Sequence, residues 1–149
     1  DGQHAAPLTF TPSQTMSGWL DFDTPIADET NLVVSATDDA GNETSTLVVL
    51  DEASSGVIDI ANPLLDNFDF GAIDLSFAED GVLTLTASDI EDLTIGSNEL
   101  TIHGGSDDTV TINGAVAGGV ETVDGTDFHV YTLGGNHTLY IEDGVNVII

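Results

Sequence analysis

The sequence predicts an all-β fold, an antiparallel β-sandwich of Greek-key type with one or two short helical turns. Three observations point there. Val, Ile, Leu and Thr fall in short runs that alternate apolar and polar with period 2. Gly, Asn and Asp break these runs at intervals of roughly 8–12 residues, the spacing of sandwich strands. Only one short stretch carries the start signals of a helix.

Taken in order, Gly18-Trp19-Leu20-Asp21-Phe22 reads as a strand around the single Trp. Residues 32–37 and 46–50 read as two strands joined by the turn Asp38-Asp39-Ala40-Gly41-Asn42. The stretch 51–56 is small and polar, which suits a seam or linker inside one domain of residues 1–149. Residues 57–60 make a further short strand, and 63–70 read as a helical turn or an irregular connection. Strand alternation returns at 82–86, 100–102 and 110–112. Ser88 at the N-cap with Glu91 three residues on fits a capping box and predicts helix over 88–94, with Ile90 and Leu93 as its apolar stripe.

The last hairpin joins 128–132 to 138–141 through Gly134-Gly135, which supply the positive φ of a tight turn. Pairing about that turn places Phe128, Val130, Leu139 and Ile141 on the core face. His129, Tyr131 and Tyr140 then share the outer face as a partner or ligand surface, or as ordinary cross-strand pairs. No internal repeat is evident.

Charge bounds the function more tightly than pattern does. The chain has 149 residues, 27 Asp plus Glu and no Lys or Arg, for a formal charge of −27. An average chain of this length carries on the order of fifteen basic side chains. Here no carboxylate can be buried against a Lys or Arg, and the acids repel one another. With 40% hydrophobic residues the composition is still that of a folding chain. A dissolved cation is the expected partner, and Ca²⁺ is the ordinary choice for oxygen-only ligands. Nucleic acid is excluded as a partner, because phosphate contacts need Lys or Arg. The absence of Cys excludes disulfides and thiolate chemistry. No apolar run is long enough to span a membrane. The first residues lack the basic and apolar regions of a signal peptide, so the chain reads as a piece of something longer.

Oxygen ligands cluster in three loops. Asp38, Asp39 and Asn42 lie within five residues, with Asp51-Glu52 closing the following strand; Asp107 and Asp108 form a second group, Asp124 and Asp127 a third. Each has a plainer alternative. Asp and Asn make Asx-turns with their own backbone, and Asp124-Gly125 is an ordinary hairpin turn. The four His residues have no zinc spacing. No Gly-x-Ser-x-Gly elbow or comparable frame supports catalysis, so a non-enzymatic role is expected.

Two stretches carry a resemblance. Residues 37–45 (Thr-Asp-Asp-Ala-Gly-Asn-Glu-Thr-Ser), followed by Leu47-Val48-Val49, resemble the closing hairpin of bacterial immunoglobulin-like repeats in giant surface adhesins. Residues 83–149 resemble a module near the C-terminal end of RTX-type biofilm adhesins, through residues 85–93, Asn98-Glu99-Leu100-Thr101-Ile102-His103-Gly104, Asp108-Thr109-Val110, 124–132 and Leu139-Tyr140-Ile141-Glu142-Asp143. The resemblance implies an extracellular, calcium-loaded β-sandwich. In some of these adhesins such a sandwich is split by an inserted sugar-binding domain, and no such insert is present here. Gly104-Gly105-Ser106-Asp107-Asp108 is one broken nonapeptide-like run, so an RTX β-roll is not expected. The resulting expectation is a monomeric, calcium-stabilised scaffold module of a bacterial surface adhesin, contacting adjacent domains of the same protein. The alternative is a carbohydrate- or peptide-binding module in its own right.

Overall fold

In a computed structural model of the chain, residues 8–10, 30–50 and 56–149 are described. The strand expected at 18–22 and residues 51–55 of the seam at 51–56, Asp51 among them, lie outside the described residues. The elements run β1 (Leu8–Phe10), β2 (Thr30–Thr37), β3 (Glu43–Leu50), β4 (Phe70–Asp74), β5 (Val82–Thr84), α1 (Ala87–Leu93), β6 (Glu99–His103), β7 (Thr109–Thr111), β8 (Val116–Val123), β9 (Thr126–Leu133), β10 (His137–Glu142) and β11 (Asn146–Ile148).

The expectation of mostly β structure with a short helix is met; the expectation of antiparallel sheets is corrected. The large sheet has the order β1-β2-β3-β4-β6-β10-β9-β8 and is mixed, and a small sheet has the order β11-β7-β5. β2–β3, β9–β10 and β8–β9 are antiparallel. β3–β4, β4–β6 and β6–β10 are parallel, as are β5–β7 and β7–β11. After β3 the chain therefore passes from the large sheet to the small one and back in successive circuits: β4 to β5, β6 to β7, β10 to β11. The β8–β9 hairpin is spliced into the last circuit. That insertion makes the spacing of stacked positions uneven and hides the repeat from the sequence.

Parallel pairing in register stacks like on like. Leu47, Ile73, Ile102 and Ile141 form one continuous row across β3, β4, β6 and β10, and all four are fully buried. Leu100 sits beside Leu139, both also fully buried. In the small sheet Leu83, Val110 and Val147 make the matching row. These rows meet in one core, which also takes in Val33, Ile58 and Phe70. Because side chains alternate, the partners Thr46, Ala72, Thr101 and Tyr140 form a second row on the opposite face of the large sheet.

The helix is capped two residues earlier than the sequence suggests. Thr86 is the N-cap and Asp89 the N3 residue of the capping box, while Ile90 and Leu93 are buried as expected. Ser88-Glu91 has the same spacing, but Thr86, two residues past the end of β5, keeps the extended backbone of an N-cap, while Ser88 is already inside the helix. Residues 63–68 form turns that lead into β4.

The last hairpin is shifted by one residue from its expected pairing. Leu133 pairs with His137, Thr132 with Thr138, Tyr131 with Leu139 and Val130 with Tyr140. The loop holds three residues, because Asn136 joins Gly134 and Gly135. A slip of one residue moves every side chain to the other face. Phe128 and Val130 therefore share the outer face with Tyr140, while Tyr131 and His129 lie on the side of Leu139 and Ile141. Tyr131 packs against the core.

Ile102 is the test of the stacked row. Ile102→Ala is expected to lower the unfolding free energy in a urea titration by about 2–5 kcal/mol, the range for a buried aliphatic truncation. Val57→Ala removes a side chain that is 79% exposed. It is expected to change stability by no more than about 0.5 kcal/mol.

Candidate functional site

The outer face of the large sheet carries a trough. Ala72, Thr101 and Tyr140 from the outer row form its floor, Phe128 and His103 stand at one end, and the β8–β9 hairpin tip contributes Val123, Asp124 and Thr126. This part is a half-open hollow of about 430 Å³. A second hollow of about 220 Å³ continues it toward β3 and β4 past Thr44, Asp69 and Gly71. Glu99, Thr101 and Tyr140 line both.

Local chemistry fixes the end wall. Phe128 is 3% exposed although it faces outward. His103 meets its ring edge-on, with centroids 5.4 Å apart and planes at 81°. The Nδ1 of His103 lies 3.1 Å from Glu142 Oε2, which also accepts the Gly104 N–H at 3.4 Å. The hairpin tip is a two-residue turn in which Asp124 and Gly125 both have positive φ, 52° and 90°. That is the geometry the Asp-Gly pair favours. Tyr140 has its phenol pushed above the ordinary value by burial first, then by the nearby charges of Glu99 and Glu121.

The expected calcium ligands are placed apart and mostly engaged. Asp38 closes an Asx-turn: its Oδ1 accepts the N–H groups of Ala40 and Asn42, and its Oδ2 accepts the Asn42 side-chain amide at 2.7 Å. Its pKa is lowered, chiefly by that Asn42 side chain. A carboxylate offers about four lone-pair positions, so three donors leave little for a cation. Asp39 is exposed on the same loop. Asp107 is exposed as well, whereas its neighbour Asp108 is 1% exposed. Asp124 is the hairpin-turn residue, and Asp127 accepts the Thr122 hydroxyl. Among the described residues no three His, Asp or Glu side chains converge as a metal site. These residues therefore do not fit a preformed shell of six to eight oxygens.

Asp108 has a structural task instead. Its Oδ1 accepts the buried Gly81 N–H at 3.1 Å and its Oδ2 the Gly105 N–H at 2.7 Å. Gly81 permits this approach, since a Cβ there would lie 2.7 Å from Asp108 Oδ1. The Asn146 amide donates to the carbonyls of Ser106 and Asp108 at 2.8 and 3.2 Å. Asp108 thus ties together the turns of successive circuits.

Of the expected partner surface, Tyr140 lies in the trough. Tyr131 does not, and His129 pairs with Asp143, Nε2 to Oδ1 at 3.1 Å. Glu99, Thr101, His103 and Phe128 line the trough without having been singled out for it from the sequence. The alternation Glu99-Leu100-Thr101-Ile102-His103 marks the first three as outward. Only the parallel β4–β6–β10 pairing shows what they face. Comparison with protein-family models, curated proteins and solved structures finds no match.

Asp108→Ala orphans two backbone N–H groups and is expected to cost about 2–4 kcal/mol in chemical unfolding. Burial raises the Asp108 pKa above the usual 3.8. The folded state then holds the proton more tightly, so stability falls as pH rises from the usual value through the raised one. Asp38 has the opposite sign: its contribution is present above the usual value and fades as pH falls through the lowered one. The gap between wild type and Asp108→Ala is expected to widen as pH drops from about 7 to about 4, near the unperturbed carboxylate value.

Proposed function

We propose that the chain is a structural module of a large bacterial surface adhesin, spacing or presenting a neighbouring ligand-binding domain outside the cell. The observation that carries this reading is the stack of parallel circuits on one apolar core, clad in acids with no Lys or Arg anywhere in the chain. Such a stack resists bending because each circuit bonds to the next along both sheets. The adhesin-like residues of the β2–β3 hairpin and of the last circuits support the same reading. The described residues include no helix long and apolar enough to cross a membrane.

Divalent cations of an extracellular medium are part of the proposal. With 27 carboxylates and no cationic side chain, compaction raises the local negative potential. Ca²⁺ lowers it more strongly than a monovalent ion does at the same concentration. Since no preformed shell fits the ion among the described residues, its binding is expected to be weak, in the range of about 10⁻⁴ to 10⁻³ M typical of extracellular modules.

The test is thermal unfolding in EDTA and in millimolar Ca²⁺, both at about 0.5 M NaCl, where the screening length is only about 3–8 Å. Ca²⁺ is expected to raise Tm by about 4 °C or more, equivalent to roughly 1 kcal/mol. Identical curves would remove calcium from the proposal and leave the acids as a hydrated surface.

A further inference from the structure

The trough has a charge and a chemistry that select its occupant. Glu99 and Asp124 line its larger part, Asp69 lines the continuation, and no Lys or Arg exists to balance them. His103 is held by Glu142. An anionic ligand would find no counter-charge there. A neutral one would leave the carboxylates to water. A cationic one is drawn both by the carboxylates and by the aromatic face of Tyr140, where cation–π attraction adds to the ion pairing.

The floor narrows the class further. Every strand beneath the trough is paired on both sides, so its backbone offers no free edge to an extended peptide. Recognition falls to side chains. Thr101 and Thr126 line the larger hollow and Thr44 and Thr101 its continuation, and among the described residues no hydrogen bond engages their hydroxyls. From β3 to β10 the floor spans four strands, about 14 Å at about 4.8 Å per strand. An oligomer of polyhydroxylated rings bearing ammonium groups uses all of these: hydroxyls against Thr, ring C–H faces against Tyr140, ammonium against Glu99 and Asp124. We infer that the trough binds a glycan of free amino sugars, with Tyr140 as its platform and Glu99 as its ammonium partner.

The site does not depend on the scaffold role proposed above, since a spacer and a ligand-binding face occupy different parts of the same stack. The experiment is isothermal titration of the full chain with a glucosamine oligomer at about 0.15 M NaCl, which confines diffuse attraction to about 8 Å. Its N-acetylated counterpart and a lysine oligomer of equal length are titrated in parallel. Glu99→Gln keeps the shape of an exposed side chain and removes one charge, and is expected to weaken the glucosamine oligomer about tenfold. Asp59→Asn removes the same charge from an exposed loop next to the small sheet and is expected to leave affinity unchanged. Equal losses in the two variants would reduce the binding to the net charge of the chain. Acetylated or lysine oligomers binding as tightly, or no binding at all, would likewise overturn the assignment.

Discussion

Register between parallel strands is the constraint on which the rest of this structure depends. When β4, β6 and β10 pair in register, Ile73 can only stack on Ile102 and Ile102 on Ile141. The same pairing sends Ala72, Thr101 and Tyr140 outward together. One choice therefore builds the core and the trough at once. A shift of one residue would exchange them, burying Thr101 and Tyr140 and exposing the aliphatic row. The small sheet repeats the choice with Leu83, Val110 and Val147. Asp108 and Asn146 then hold the turns between sheets at a fixed height, so the register on one side is passed to the other.

Charge sets the second condition. With no Lys or Arg, the structure meets several of its carboxylates with N–H and O–H donors. Asp38 takes two backbone amides and Asn42, Asp89 takes the helix cap at Thr86, Asp127 takes Thr122, and Asp108 takes two amides in a nearly closed environment. Asp108 illustrates the cost: burial works against its ionised form, and the two N–H groups offset that only in part. The outer trough differs, since Glu99 is exposed and its carboxylate engages no donor among the described residues. Its negative potential is available to a ligand for that reason.

Local features were legible in the sequence and non-local ones were not. The β2–β3 hairpin follows from Asp38 to Asn42 between two alternating runs, and the Asx-turn is what those residue types favour on their own. The short helix follows from Ile90 and Leu93, although two overlapping cap signals left its N-cap displaced by two residues. The β9–β10 hairpin was legible as a hairpin, but its register turned on whether Asn136 belongs to the loop. That single residue turns Tyr131 to the other face and leaves Tyr140, of the two tyrosines, in the trough. The parallel pairings had no comparable signal. Their partners lie far apart in the chain, the β8–β9 insertion breaks the period, and strands buried on one face look alike whether their neighbours run parallel or antiparallel. The trough was hidden for the same reason, since its lining comes from strands that only those pairings bring side by side.

If the stacked rows hold the circuits as one cooperative unit, their amides must open together. Native-state hydrogen exchange read residue by residue measures this directly. The expected result is that the amides of Ile73, Ile102 and Ile141 in the large sheet, and of Leu83 and Val110 in the small one, share the slowest exchange and one opening free energy equal to that of global unfolding. Early, independent exchange of β4 and β5 while β10 and β11 stay protected would contradict it, and would show that the circuits are separate units rather than one stack.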